Sequence, residues 1–206
     1  MNYKLKLKYT IFLFLNALSL ITLGQSRSIS PLSLNPQKPL SQYIIENWTT
    51  DEGLPSKTLT AVTQTTDGYL WIASYNGLYR FDGVNFKAFT KDDYNILRTN
   101  SFNALANGPK NALFIGTGGS GLLYYRDGKL EIWGGKHEFS KPIESLSVDT
   151  EKGQVWAGTR GGGVFIFEKD TFWQFKEQPL LNRISISAIV EGQNGQKWFA
   201  TEGNGV

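Results

Sequence analysis

The chain repeats itself about every 42 residues, and a period of that length decides most of what it can fold into. Stacked in register, DGYLWIASYNGLYRFDG (from Asp67), KNALFIGTGGSGLLYYRDG (from Lys110), KGQVWAGTRGGGVFIFEKD (from Lys152) and NGQKWFATEGNGV (from Asn194) place Trp71, Phe114, Trp156 and Trp198 at equivalent positions, 43, 42 and 42 residues apart. Repeats of this length with several short apolar runs and Gly-rich turns describe four-stranded propeller blades, whereas the other architectures of similar period are helical. No stretch after residue 24 reads as a helix. The fold class expected is all-β: a β-propeller of four-stranded antiparallel blades, incomplete, with three full blades and part of a fourth. The repeats fall near 59–90, 102–133, 144–175 and 187–206.

Within the clearest repeat the expected strands are Leu59 to Thr65, Leu70 to Ser74, Gly77 to Phe81 and Asn85 to Thr90, joined by turns at Asp67-Gly68, Tyr75-Asn76 and Asp82-Gly83. Asp-Gly between alternating apolar residues is a hairpin signal, and both central residues of such a turn are expected at positive φ. The second-strand aromatic should lie between blades, contributing about 1.5–3 kcal/mol by burial. Ala73, Gly116, Gly158 and Ala200, two positions on, should be small because they sit beside that ring. Ser74, Thr117, Thr159 and Thr201 should cap the following loop through their hydroxyls, and Gly77, Gly121, Gly163 and Gly205 should admit a backbone conformation other residues resist.

The ends of the chain differ from the repeats. Lys4, Lys6 and Lys8 followed by the apolar run Ile11 to Leu23 read as a secretory signal over residues 1–24, cleaved before Gln25. The run is too short, and too interrupted by Asn16 and Ser19, for a membrane-spanning helix, which needs about 20 apolar residues. Residues 25–42, rich in Ser, Pro, Gln and Asn, read as a linker, and 43–206 as the partial propeller. Tyr43 to Thr49 resembles the fourth-strand segments, as if it were the outer strand of a closing blade. Closed propellers have four to eight blades, so the chain is expected to be part of a larger gene product.

The 206 residues hold 21 Lys and Arg against 18 Asp and Glu, for a pI near 9.0. The three leader lysines account for the whole excess, so the repeats are balanced and nucleic acid is not an expected partner. There is no cysteine, and the one histidine, His137, sits in the loop-like stretch Gly134 to Glu138. Thiolate and His-paired metal sites are thereby excluded, and a catalytic triad is weakened, since its base would have to be a histidine in an exposed loop. Asp51-Glu52 and Asp92-Asp93 are adjacent carboxylate pairs beside turn residues, and neighbours in sequence seldom converge on one site as glycosidase acids must. Gly116 to Gly119 and Gly161 to Gly163 lack the following helix a phosphate cradle needs. No catalytic residue, metal or cofactor is expected.

The run from Trp48 to Phe89, with Gly53-Leu54-Pro55, DGYLWIAS and NGLYRFDG together, closely resembles the opening blade of the two-component regulator propeller family. The resemblance extends over about residues 43–206, with Lys110-Asn111 and Lys152-Gly153 replacing Asp-Gly in later repeats. It implies the exported sensor region of a bacterial histidine kinase, periplasmic, carried by a parent anchored in the inner membrane, with kinase parts that these residues do not contain. A diguanylate cyclase output is the lesser expectation for the parent. The partners implied are an oligosaccharide or other small ligand, further blades and output domains of the same polypeptide, and a second copy in a homodimer.

Loops joining strands two and three emerge on the same face as the connections between blades, and their residues differ inside a recurring frame. Tyr75, Asn76, Ser120, Arg160, Glu202 and Asn204 are therefore the candidate ligand-binding residues. Arg, Glu and Asn can hydrogen-bond hydroxyls or acidic groups, and Tyr can stack on an apolar sugar face. A secreted glycan-active propeller enzyme and an exported protein-binding scaffold are the alternative functions.

Overall fold

The computed structural model describes residues 37–43, 45–135, 139–192, 195–203 and 205. The signal segment, most of the linker, His137 and Asn204 lie outside the described residues. The chain forms two units, residues 1–43 and residues 44–206. In the described part of the first, Leu40–Gln42 makes one exposed 3-10 turn and the Lys38 ammonium stands 5.0 Å from the Tyr43 ring centroid.

Among its described residues the second unit is all β apart from a 3-10 turn at Pro179–Leu181. Blade one comprises β1 (Leu59–Gln64), β2 (Leu70–Ser74), β3 (Gly77–Phe81) and β4 (Phe86–Phe89). Blade two comprises β5 (Phe102–Asn107), β6 (Leu113–Thr117), β7 (Leu122–Arg126) and β8 (Lys129–Trp133). Blade three comprises β9 (Ile143–Asp149), β10 (Gln154–Thr159), β11 (Gly163–Glu168) and β12 (Thr171–Gln174). A two-stranded sheet comes next, β13 (Ile186–Glu191) with β14 (Lys197–Thr201). Each four-stranded sheet is an antiparallel meander in chain order, and the first strands β1, β5, β9 and β13 pack on one another in sequence.

The apolar core consists of layers between sheets. The first layer joins Trp71, Leu78 and Phe89 of blade one to Phe102, Leu123 and Tyr125 of blade two, and the second joins Phe114 and Leu122 to Val155, Phe165 and Phe167. A third, thinner layer holds Val164, Ile186 and Ile189. Trp71 meets Phe89 of its own blade at 5.3 Å between ring centroids and Tyr125 of the next at 4.7 Å. The second-strand aromatic thus bridges sheets, as the repeat requires.

Three local expectations need revision. Two positions beyond the aromatic, Gly116 and Gly158 are small because of first strands: a Cβ at Gly116 would lie 2.6 Å from Ile143 Cγ2 of the next blade, and one at Gly158 2.3 Å from Ser145 Oγ of its own blade and 2.7 Å from Ile186 Cγ2 of the next sheet. The Asp-Gly turns are not uniform. At Asp67-Gly68 and Asp82-Gly83 only the glycine has positive φ, because the longer connections are closed by Gly68 N–H to Thr65 O (2.9 Å) and by Val84 and Asn85 N–H to Asp82 Oδ1 (2.9 and 2.7 Å). Both residues are positive at Asp127-Gly128 (51° and 81°) and at Lys110-Asn111 (56° and 60°), the latter without an Asp-Gly pattern. Residues 45–49 form no strand. Trp48 instead packs edge-on against Phe81 at 4.9 Å and Phe86 at 5.7 Å.

Candidate ligand-binding face

The loops after β2, β6, β10 and β14 are built by one device. Ser74 Oγ donates to Gly77 O (3.0 Å), and Thr117, Thr159 and Thr201 Oγ1 donate to Gly121, Gly163 and Gly205 O at 2.8, 2.8 and 2.7 Å. The last three glycines sit at φ 80°, 79° and 78°. In the first two loops the same hydroxyl oxygens accept loop N–H groups, Asn76 N at 3.0 Å and Ser120 N at 2.7 Å. The hydroxyl therefore satisfies a loop that no ladder reaches.

A second tie fixes the loop over the start of the first strand. Gly118, Arg160 and Glu202 each donate a backbone N–H to Ser101, Pro142 and Ser185 O, at 2.9, 3.0 and 3.1 Å. That register makes Gly118, rather than Ser120, the counterpart of Arg160 and Glu202. Ser120 is buried, and its Oγ accepts the Arg98 N–H at 2.8 Å. It pins the connection between blades one and two, and its hydroxyl does not face solvent. Tyr75 is 52% exposed, and Asn76 and Glu202 are exposed. The structure thus places Tyr75, Asn76, Arg160 and Glu202 on the loop face, with Ser120 beneath it.

Residues that the loop pattern did not indicate complete this face. Every first strand carries a β-bulge at its entry, with Thr60, Asn103, Glu144 and Ser187 as the extra residues. The bulge re-aims its side chain out of the pleat alternation. Thr60 Oγ1 donates to Phe102 O of the next blade at 2.6 Å, and Asn103 Nδ2 lies 3.5 Å from Glu144 Oε1, also one blade on. Arg160 Nη2 reaches the same Glu144 oxygen at 2.8 Å. Asn103, Glu144 and Arg160 therefore form one chain across blades two and three, with the Arg side chain 60% exposed and the Glu 23%. An ion pair so open to water contributes about 0–1 kcal/mol, so the trio adds little to the fold. Asn103 and Glu144 were legible as single variable polar positions between a recurring large apolar residue and a small one: Leu59-Thr60-Ala61, Phe102-Asn103-Ala104, Ile143-Glu144-Ser145, Ile186-Ser187-Ala188.

Three further carboxylates hold turns. Glu52 Oε2 accepts both the Thr49 hydroxyl and its N–H, the latter at 2.8 Å, and these bonds keep its pKa below the ordinary value. Asp93 Oδ2 accepts from Thr90 Oγ1 at 2.8 Å. Asp82 is likewise lowered by the N–H groups of Asn85 and Val84. Among the described residues no group of three or more acidic or histidine side chains could hold a metal, and no helix is long and apolar enough to cross a membrane.

Fold and face together define a β-propeller segment with a variable polar loop face. Residues 53–76 match the family model described as two component regulator propeller, so the resemblance read from Trp48 to Phe89 stands on the same blade. Among solved structures, the chain is similar to the extracellular domain of BT4673 from B. thetaiotaomicron, assigned as a one component system in one crystal structure and a hybrid two component system in another. These share 23% and 22% identity, each with TM-score 0.60 over 71% of this chain and 20% of that one. PorZ of Porphyromonas gingivalis, a surface component of the type-IX secretion system, aligns at 18% identity and TM-score 0.55, over 71% of this chain and 25% of PorZ. Virginiamycin B lyase from Staphylococcus aureus aligns at 14% identity and TM-score 0.55, covering 71% of this chain and 50% of the lyase. At these identities the likeness is one of fold, and the chain spans about a fifth of the length of the BT4673 domain. No curated protein matches the chain.

Proposed function

We propose that this chain is part of an exported, periplasmic sensor propeller that binds a polar ligand on its loop face and passes occupancy to an output region of the same polypeptide. The observation that carries the reading is the Asn103–Glu144–Arg160 chain, a polar group built on variable positions of a recurring frame and worth little to the fold. It offers guanidinium donors beside a carboxylate acceptor and an amide. Such a mixture suits hydroxyl groups, which donate and accept at once, and it opposes net charge of either sign on the ligand. An oligosaccharide fits that description, with Tyr75 as a stacking surface further round the face. The BT4673 domain, described as extracellular and belonging to a one- or two-component system, supports the sensor reading. The expected output is a histidine kinase.

The test is calorimetric titration of oligosaccharides into the chain and into an Arg160→Ala, Glu144→Ala double variant. A ligand found for the parent should bind the variant at least tenfold more weakly, about 1.4 kcal/mol, while the unfolding midpoint stays nearly unchanged. Equal affinity in parent and variant would remove the face from the reading.

A further inference from the structure

Blade three differs from its neighbours at two equivalent positions of the loop face. Of the four bulge residues, Thr60, Asn103 and Ser187 are neutral and Glu144 is a carboxylate. Of the residues that follow the capping hydroxyls, Tyr75, Gly118, Arg160 and Glu202, only Arg160 is a cation. Thr60 is satisfied by the backbone of the next blade, at Phe102 O, 2.6 Å away. Glu144 instead takes two side chains on one oxygen, Arg160 Nη2 at 2.8 Å and Asn103 Nδ2 at 3.5 Å. Asn103 is held in that orientation because Ser101 Oγ donates to its Oδ1 at 3.0 Å, which turns the amide nitrogen toward blade three. The second Glu144 oxygen, Oε2, has no partner among the described residues, and the Arg160 side chain, 60% exposed, has further N–H donors open to solvent.

The charges around this pair are balanced. The Lys141 stem lies over Gly162, where an added Cβ would come 2.6 Å from Lys141 Cδ. The Gly161 and Glu202 N–H groups donate to Oγ and O of one residue, Ser185, at 3.0 and 3.1 Å, so the two loops adjoin. Arg160 and Lys141 thus stand with Glu144 and Glu202 on one stretch of the face. A sugar hydroxyl both donates and accepts, so it can give its proton to Glu144 Oε2 while taking an N–H from Arg160. A carboxylate at neutral pH has no proton to give. It reaches the Arg160 guanidinium only by standing beside Glu144, where like charges repel across a few ångströms.

We propose that Glu144 is the specificity-determining residue of this face: it admits neutral oligosaccharides and turns away those that carry uronic acid carboxylates. This rests on the reading of the loop face as a saccharide site. Removing the charge at this one position reverses the preference. In Glu144→Gln the side chain keeps its size and an oxygen that accepts from Arg160, while the guanidinium loses its carboxylate and becomes a two-pronged receptor for the ligand's own.

Calorimetric titration with matched pairs tests this: gluco-, galacto- and manno-oligosaccharides of each common linkage, each beside its C6-oxidised form, in which the primary hydroxyls are carboxylates. The full chain should bind the neutral member of a pair about tenfold more tightly than its oxidised partner. Glu144→Gln should bind the oxidised member about tenfold more tightly than the parent does, with a salt dependence that the parent's neutral binding lacks. The Glu144→Gln, Arg160→Gln double variant should lose that gain, a pattern that a merely structural role for Glu144 would not produce. Circular dichroism should show both variants folded as the parent is, since the trio adds little to the fold. A parent that binds both members equally, or a Glu144→Gln variant that gains nothing toward the oxidised one, would overturn the role of Glu144 and leave the face a saccharide site. Absence of binding to every neutral and oxidised member, in parent and variant alike, would overturn the saccharide reading and this role with it.

Discussion

Trp71 and Trp198 occupy the same register of the same repeat, yet one is 2% exposed and the other 56%. The difference lies in the neighbour each one meets. Beyond Trp71 stands a complete sheet whose third strand brings Tyr125 onto the indole, with Phe89 closing the other side. Trp156 is intermediate. It faces only the two-stranded β13–β14 sheet, through Phe199 at 6.1 Å, across a groove of about 920 Å³ that also exposes Trp173 and Lys176. Its indole N–H is buried without an acceptor among the described residues, whereas that of Trp71 donates to Thr65 Oγ1 at 3.2 Å. The residue at the Thr65 position in blade three is Asp149, whose carboxylate is turned to the Lys152 N–H at 3.0 Å. A recurring side chain therefore takes its energetic value from the neighbouring unit, as nearest-neighbour models of repeat proteins require.

The comparison can be broken by substitution. Trp71→Ala should destabilise the array by about 3–5 kcal/mol in chemical denaturation, since it empties a closed interblade layer. A loss below about 1 kcal/mol would show that the layer does not depend on it. Thr65→Val should cost about 1 kcal/mol or more by removing the acceptor of the Trp71 indole together with the hydroxyl's own bonds to Asp67 Oδ1 (2.5 Å) and Tyr69 O (3.3 Å), and a double-mutant cycle with Trp71→Phe should show a coupling between the two while the turn's share of the loss remains. Asp149 distinguishes blade three by its acid response. The Lys152 N–H holds its pKa below the usual carboxylate value, against the opposing effect of burial and with help from the Lys152 ammonium 3.6 Å away. Its stabilisation is present above the unfolded-state pKa and is lost as pH falls through the folded one. Asp149→Asn should accordingly flatten the stability profile on the acid side of about pH 4, and an unaltered profile would remove the carboxylate from the account. Trp198→Ala, at the far end of the series, should change monomer stability by no more than about 0.5 kcal/mol.

The blade plan was legible because period-two apolar runs and turn residues recur. The second and third strands of blade one fall where they were read, at Leu70–Ser74 and Gly77–Phe81. The hydroxyl caps were legible for the same reason, a Ser or Thr held at one offset from a glycine. What the repeat could not convey is contact between units. The reason Gly116 is small lies 27 residues downstream at Ile143, and the use of Trp48 as a partner for Phe81 is a tertiary event that leaves no strand pattern. On the candidate face, exposure could be inferred for Arg160 and Tyr75 from loop position alone. Ser120 could not be sorted in the same way, since its burial depends on the Arg98 N–H from another connection. The bulges were written in the sequence as lone variable polar residues, but alternation cannot foretell where such a side chain points.

The hydroxyl-to-glycine closure of the four face loops bears on how this protein can change. Because the first loop closes on its own Ser74, the exposed Tyr75 and Asn76 between hydroxyl and glycine are under little demand from the sheet below, whereas Gly118 and Ser120 of the second loop are held by Ser101 and Arg98. Loop lengths already differ, two residues between Ser74 and Gly77 and three between Thr117 and Gly121. A lineage carrying this architecture can therefore rewrite the exposed positions of this loop face one loop at a time, by substitution or by insertion, while selection on folding acts mainly on other positions. Mutational tolerance and chemical diversity are concentrated on the same side of the molecule.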